Sequence, residues 1–182
     1  MDTNALERLR AFRQTMYTTF GCRRDALVEI LDALLTSSVI EHPAQLSLAP
    51  GFQRRWGSIY DALNAGTMPL PRVERLIAEH PLDIRTAWYA VDASVWPRCD
   101  AETSPDRGYY PQHSRHSNGQ PIVAGGNYSW LVQIPERCSR WTAPLRVRRM
   151  LPGENSNQVA AQQIRSFLQQ GAMPELYVRC RL

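Results

Sequence analysis

The chain has 182 residues, 43% of them apolar and 21% charged, which is enough hydrophobic side chain for a core and too few charges for wholesale disorder. Its formal charge is +4 and all 21 basic residues are arginine, whose planar fork suits phosphate oxygens, so a nucleic-acid partner is permitted without being demanded. No run approaches the roughly 20 apolar residues of a membrane span, and Glu7, Arg8 and Arg10 interrupt any signal-peptide core.

The charge is uneven. Residues 1–80 hold nine Arg against nine acidic residues, whereas residues 81–182 hold twelve against eight. The first part, to about residue 82, reads as an all-helical unit. Leu6, Leu9, Phe12, Met16 and Phe20 recur at helical spacing over residues 5–20. Asp25 is placed to cap a second helix whose inner face is Leu27, Ile30, Leu31 and Leu34. A connector from His42-Pro43 to Pro50-Gly51 follows, with Leu46 and Leu48 turned inward. A third helix carries Trp56, Ile59, Tyr60 and Leu63 on one face, and Gly66 ends it. Pro71 opens a fourth, with Val73, Leu76 and Ile77, and His80-Pro81 stops it. These last two helices read either as a helix-turn-helix, with Arg72 and Arg75 near the start of its second helix, or as two short helices that merely share a turn.

Residues 83–182 change character. Ala87–Trp96 is a short apolar run bounded by Arg85 and Pro97, the pattern of a buried central strand, with Asp92 in its middle. Alternation puts Trp88, Ala90, Asp92, Ser94 and Trp96 on one face and Tyr89, Val91, Ala93 and Val95 on the other. A carboxylate there is either satisfied by an Arg or by backbone N–H groups, or is a metal ligand at the mouth of a sheet. Pro97–Asn118 has no period and reads as a long loop. Its His113 and His116 are a metal pair or, with no third ligand at useful spacing, solvated loop histidines.

Two further apolar runs, Ile122–Ala124 and Tyr128–Ile134, are separated by Gly125-Gly126-Asn127, which signals a bulge, a kink or a close approach of backbones. Leu145–Leu151 is a strand pairing antiparallel across the preceding loop. Ser156 or Asn157 caps a helix striped by Val159, Ala160, Ile164, Phe167 and Leu168, and Leu176-Tyr177-Val178 starts a last strand. Five arginines crowd Arg137–Arg149, with no acidic residue among them. The four cysteines (Cys22, Cys99, Cys138, Cys180) are widely spaced with no C-x-x-C pair, so reduced thiols and a bacterial-type cytoplasmic setting are expected.

The run Ala90-Val91-Asp92-Ala93-Ser94-Val95-Trp96-Pro97-Arg98, then Thr103-Ser104-Pro105-Asp106-Arg107, then Gly119-Gln120-Pro121-Ile122-Val123-Ala124-Gly125, resembles the insertion-sequence transposases with a DDE superfamily endonuclease domain. Leu46-Ser47-Leu48-Ala49-Pro50 and Tyr60-Asp61-Ala62-Leu63-Asn64 belong to the same resemblance, which runs from about Phe12 to about Val178. It implies an α+β chain: a helical N-terminal unit, then an incomplete ribonuclease H-like mixed sheet with a helix. It also implies that Asp92 is the first catalytic carboxylate and a ligand for Mg²⁺ or Mn²⁺, acting on double-stranded DNA at transposon ends near the nucleoid. The family's second carboxylate would fall at about Cys180, where the chain reads Arg179-Cys180-Arg181-Leu182, and the third has no counterpart.

A chain cut after the fourth strand, inactive alone, is therefore expected. The alternative is a DNA-binding remnant that occupies transposon ends or pairs with full-length transposase and interferes with it. For either role the phosphate contacts are Arg54, Arg55, Arg72 and Arg75 in the helical unit and Arg146, Arg148 and Arg149 on the basic strand, with solvation as the plain alternative for each. An unfinished sheet would leave Trp88, Tyr89, Trp96, Ile122, Val123 and Trp130 partly exposed and inclined to self-association.

Overall fold

The computed structural model describes residues 3–80, 87–111, 121–135, 142–169 and 177–180. The chain divides into two compact units, residues 1–77 and 78–182. No helix among the described residues is long and apolar enough to cross a membrane.

The first unit contains α1 (Thr3–Thr19), α2 (Arg24–Thr36), a 3-10 helix (Pro43–Leu48), α3 (Gly57–Ala65) and α4 (Leu70–Ala78). Its core gathers Ala26, Ile30 and Ala33 of α2, Leu46, Phe52, and Ile59 and Ala62 of α3. Small residues set this face. Alanines let α2 and α3 approach closely, and the larger side chains are left at the rim. Leu34, Trp56, Tyr60 and Leu63, expected inside, are therefore exposed. Leu46 is buried, but Leu48 is 83% exposed, because the connector winds as a 3-10 helix that points only one of the two inward. The expected stripe of α1 is also only partly covered: Leu6, Phe12 and Met16 are half-buried, Leu9 is exposed, and Phe20 is buried.

The start of α2 differs from expectation, and α3 ends at Gly66 as expected. Arg23, in the left-handed region at φ 57°, and not Asp25, stands at the start of α2. Asp25 instead accepts a hydrogen bond of 2.7 Å from the Tyr17 hydroxyl. Gly66 ends α3 in an extended conformation, so it is chosen for space. A Cβ there would sit 2.2 Å from the Ala62 carbonyl oxygen. The following connector is tied to the α1–α2 turn by Gly21 N–H to Thr67 O at 2.9 Å and Thr67 N–H to Cys22 O at 3.1 Å.

The second unit is a mixed sheet with one helix. Its strands are β1 (Ala87–Pro97), β2 (Gly108–Pro111), β3 (Ile122–Pro135), β4 (Ala143–Met150) and β5 (Tyr177–Cys180), with α5 (Ser156–Gln169) between β4 and β5. β1 pairs antiparallel with β3 along its whole length and parallel with β5. The other edge of β3 is shared, β2 taking residues 122–125 and β4 taking 127–133. Four antiparallel strands, with β1, β3 and β4 side by side in chain order and the short β2 on the free part of the β3 edge, then a helix and a strand returning parallel to β1, make the incomplete ribonuclease H-like arrangement.

β3 runs unbroken through Gly125–Asn127, where of the three expected features the close approach of backbones is found at Gly125, against the Trp96 carbonyl, and β2 lies inside the stretch expected to be a loop. His113 and His116 fall outside the described residues, as do Arg137, Arg140 and Cys138.

α5 covers one face only. Val159, Gln163 and Phe167 are buried, with Phe167 against Tyr89 of β1 at 6.0 Å between ring centroids. Gln163 was not foreseen in the stripe. It is kept inside by Ser129 of β3, whose hydroxyl donates to the Gln163 carbonyl oxygen while Gln163 Nε2 donates to the Ser129 carbonyl at 3.2 Å. Asn155 caps α5, its Oδ1 accepting from Asn157 N–H at 2.9 Å.

Burial pushes the Tyr89 phenol above its usual range. The native state therefore holds this proton more tightly than the unfolded chain does. The stabilisation is complete below the unfolded value of about 10 and is lost as pH rises through the raised native value. Tyr89→Phe is expected to lessen the loss of stability above about pH 10, measured by denaturant unfolding across an alkaline series. An identical alkaline slope in both proteins would show that Tyr89 does not contribute.

Candidate functional site

β1 positions Asp92 at the centre of the sheet, with β3 on one side and β5 on the other. The expected alternation holds: Tyr89 and Val91 are buried towards α5, while Trp88, Asp92, Ser94 and Trp96 are exposed on the opposite face. Asp92 is thus not a buried carboxylate, and it avoids the desolvation cost that a sheet covered on both sides would impose. Its Oδ1 accepts the Ala93 N–H at 2.9 Å.

The register surrounds Asp92 with few further ligands. Trp130 stands directly opposite it on β3, and Val147 opposite Trp130 on β4. On β5, Cys180 is in register with Val91, one residue short of the Asp92 level. A residue in register with Val91 has the parity of the α5 side, so the Cys180 position, where the resemblance puts the second carboxylate, does not share the parity of Asp92. Asp100 lies in the loop after β1, exposed and 3.4 Å from Arg98 Nε. Glu102 and Asp106 share that loop. No group of three or more His, Cys, Asp or Glu side chains able to hold a metal occurs among the described residues.

A family model for DDE superfamily endonucleases matches residues 15–178. The chain belongs to the DDE superfamily endonucleases. No curated protein and no solved structure matches it. Endonucleases of this superfamily use divalent metals, and a two-metal centre needs ligands that fix the cations roughly 4 Å apart. One exposed aspartate cannot set that separation, so the described residues of this endonuclease chain do not fit a two-metal group.

The seven candidate arginines fall into distinct settings. Arg54 is engaged by carboxylates, its Nε 3.1 Å from Glu29 and a terminal nitrogen 3.7 Å from Asp25. Arg55, Arg72 and Arg75 are exposed. α3 packs on α2 and on the 3-10 helix, and α4 is not one of its main packing partners. The basic strand β4 splits by parity: Arg146 and Arg148 are opposite Leu131 and Ser129, on the α5 face, and Arg149 is opposite Tyr128, on the Asp92 face. Arg148 docks the α5 region, 2.6 Å from Glu154 and 2.8 Å from Gln162 Oε1. Arg149 donates to the Pro105 carbonyl of the loop after β1.

Beside Asp92 the open face carries a groove of about 440 Å³ that the candidate residues did not include, apart from Arg149. Trp96, Tyr128 and Trp130 supply its aromatic walls, and Arg98 and Arg149 its charge. Trp96 and Gly126 are cross-strand partners, as are Ser94 and Tyr128. The Tyr128 ring lies over Gly126, where a Cβ would meet it at 3.1 Å. The signal in the sequence was the shared parity of Trp88, Trp96, Tyr128 and Trp130 once β1 and β3 are paired. Of the aromatic and aliphatic residues expected to be partly exposed, Trp88, Trp96 and Ile122 are exposed and Trp130 half-buried. Tyr89 and Val123 are buried, because their parity turns them to the other face.

Proposed function

We propose that this chain handles DNA as part of a transposase-type endonuclease, with Asp92 in the role of first catalytic carboxylate, and that by itself it binds DNA without cutting it. The observation that carries the reading is the family match across residues 15–178 combined with a single carboxylate on the central strand. Phosphate contacts by Arg55, Arg72 and Arg75, which are exposed, fit double-stranded DNA such as transposon ends. Arg54 and Arg148, each held by a carboxylate, contribute less. Chemistry with Mg²⁺ or Mn²⁺ requires ligands beyond Asp92. Occupying DNA ends without cutting would let the chain compete with an active transposase.

Two measurements test this. Supercoiled plasmid incubated with the chain and Mg²⁺ or Mn²⁺ is expected to stay un-nicked, and Asp92→Asn to change nothing there and to shift stability by less than about 0.5 kcal/mol, as for an exposed side chain. Metal-dependent nicking abolished by Asp92→Asn would overturn the claim of inactivity. Duplex affinity is expected to fall with salt, the log–log slope being about −0.9 for each phosphate neutralised. A flat slope would remove DNA binding from the reading.

A further inference from the structure

We infer that the groove beside Asp92 is a seat for an unpaired nucleotide: its base stacks on the Trp96–Tyr128–Trp130 surface and its phosphate is met by Arg98 and Arg149. The inference rests on the DNA reading above and says which form of nucleic acid this face takes.

The composition of the lining decides the class of ligand. Three aromatic side chains and two guanidinium groups line the groove, together with Ser104, Gly126 and Val147, and no carboxylate is among them. Aromatic rings alternating with cations along an open groove is the arrangement that binds single strands, where rings stack on bases and arginines follow the backbone. The volume, about 440 Å³, lies within the range of roughly 300–1,000 Å³ typical of small-ligand clefts. Trp96 is 62% exposed, a large apolar surface left facing water at the end of the central strand.

The two arginines are differently held. Arg149 is fixed by its bond to the Pro105 carbonyl, which holds its guanidinium at the groove. Among the described residues the Arg98 guanidinium pairs with exposed Asp100 at 3.4 Å, a contact weak enough in water to be exchanged for a phosphate.

Duplex DNA fits this face poorly. Its bases are stacked inside, so three rings would meet sugar and phosphate and gain no stacking; an unpaired base offers a π-face. A second copy of the chain also fits poorly. A two-fold pairing of this face would bring the Arg98 and Arg149 groups of both copies towards one another, two cations from each copy against the one Asp100 that already pairs with Arg98.

The test compares a labelled oligothymidine of roughly 4–16 nucleotides with a duplex of mixed sequence, by fluorescence anisotropy on the full chain. Trp96→Ala is expected to weaken oligothymidine binding by about fivefold to 150-fold and to leave duplex binding unchanged, with Trp96→Phe retaining most of the single-strand affinity. Equal loss for both ligands, or no loss for oligothymidine, overturns the inference and leaves duplex binding standing. Oligothymidine binding lost in Trp96→Ala while the wild type fails to bind duplex would support the groove and refute the duplex reading instead. A concentration-dependent dimer in ultracentrifugation that Trp96→Ala converts to monomer, without oligothymidine binding, would assign the face to self-association and overturn the inference. Should Trp96→Ala lose its thermal transition, Arg149→Gln carries the comparison, and unchanged oligothymidine affinity in it overturns the inference.

Discussion

Ile59→Ala is expected to destabilise the helical unit by about 2–5 kcal/mol, the cost of removing a large aliphatic side chain from a closed core. Ile59 has 0% exposure and sits between the alanine face of α2 and the residues Leu46 and Phe52. Its loss removes apolar contact and leaves a cavity that helices already in close approach cannot fill without moving. The unit spans residues 1–77, and at typical values per residue its whole stability is roughly 4–12 kcal/mol. The substitution therefore removes a large share of it. Leu63→Ala, one turn further along α3 at a position 58% exposed, is the control and should stay within about 0.5 kcal/mol. Denaturant unfolding of the full chain followed by far-UV circular dichroism reads both. Similar losses for the two variants would mean that the helix buries the broader Trp56–Leu63 face.

That contrast shows which parts of the fold are legible in the sequence. Strands were readable because alternation is a strict period: β1 begins at Ala87 and ends at Pro97, within one residue of the apolar run, and each side chain from Trp88 to Asp92 lies on its expected side. The order of the other elements in the second unit agrees as well, but β2, four residues within a stretch without a period, was not legible. Helix faces were less readable. Hydrophobicity alone ranks Leu34, Leu63 and Trp56 above Ala26, Ala33 and Ala62, whereas close packing of α2 on α3 selects the small residues. Gln163 was missed because a polar residue in a helix stripe reads as surface, and only pairing with Ser129 on β3 makes its burial affordable.

For the site, Asp92 could be singled out from its place in an apolar strand, but its exposure could not. Burial depends on whether anything covers the second face, and α5 covers the other one. The division of Arg146, Arg148 and Arg149 between two faces follows from the β4 register. A charge run in sequence carries no record of which side each member takes once the strand is paired. The groove was hidden for a related reason: Trp96 lies some thirty positions before Tyr128 and Trp130, and only the β1–β3 pairing brings them together.

Gly125→Ala is expected to disrupt that same pairing. Gly125 is opposite Pro97, at the point where β1 leaves the sheet, and Arg98 N–H donates to the Ala124 carbonyl at 2.8 Å. A Cβ on Gly125 would stand 2.1 Å from the Trp96 carbonyl oxygen and 3.0 Å from Arg98 N. The obstructing atoms are backbone, so no rotamer change relieves the clash. Either β1 and β3 separate locally or the Trp96–Arg98 peptide turns away, and overpacking of this kind costs about 1–3 kcal/mol, occasionally more. The cause is proximity, since the conformation of Gly125 is not one reserved for glycine. Trp96 and Arg98 are both walls of the groove, so the displacement reaches function as well as stability. Gly153→Ala, by contrast, has open space around its Cβ but a backbone at φ +87°, so its cost is purely conformational, about 1–2 kcal/mol, and lies away from the groove. Thermal unfolding together with oligothymidine affinity separates the two cases. Gly125→Ala should lower both, and Gly153→Ala only stability. A Gly125→Ala protein that melts and binds as the wild type would mean that β1 and β3 are not so closely apposed at their ends.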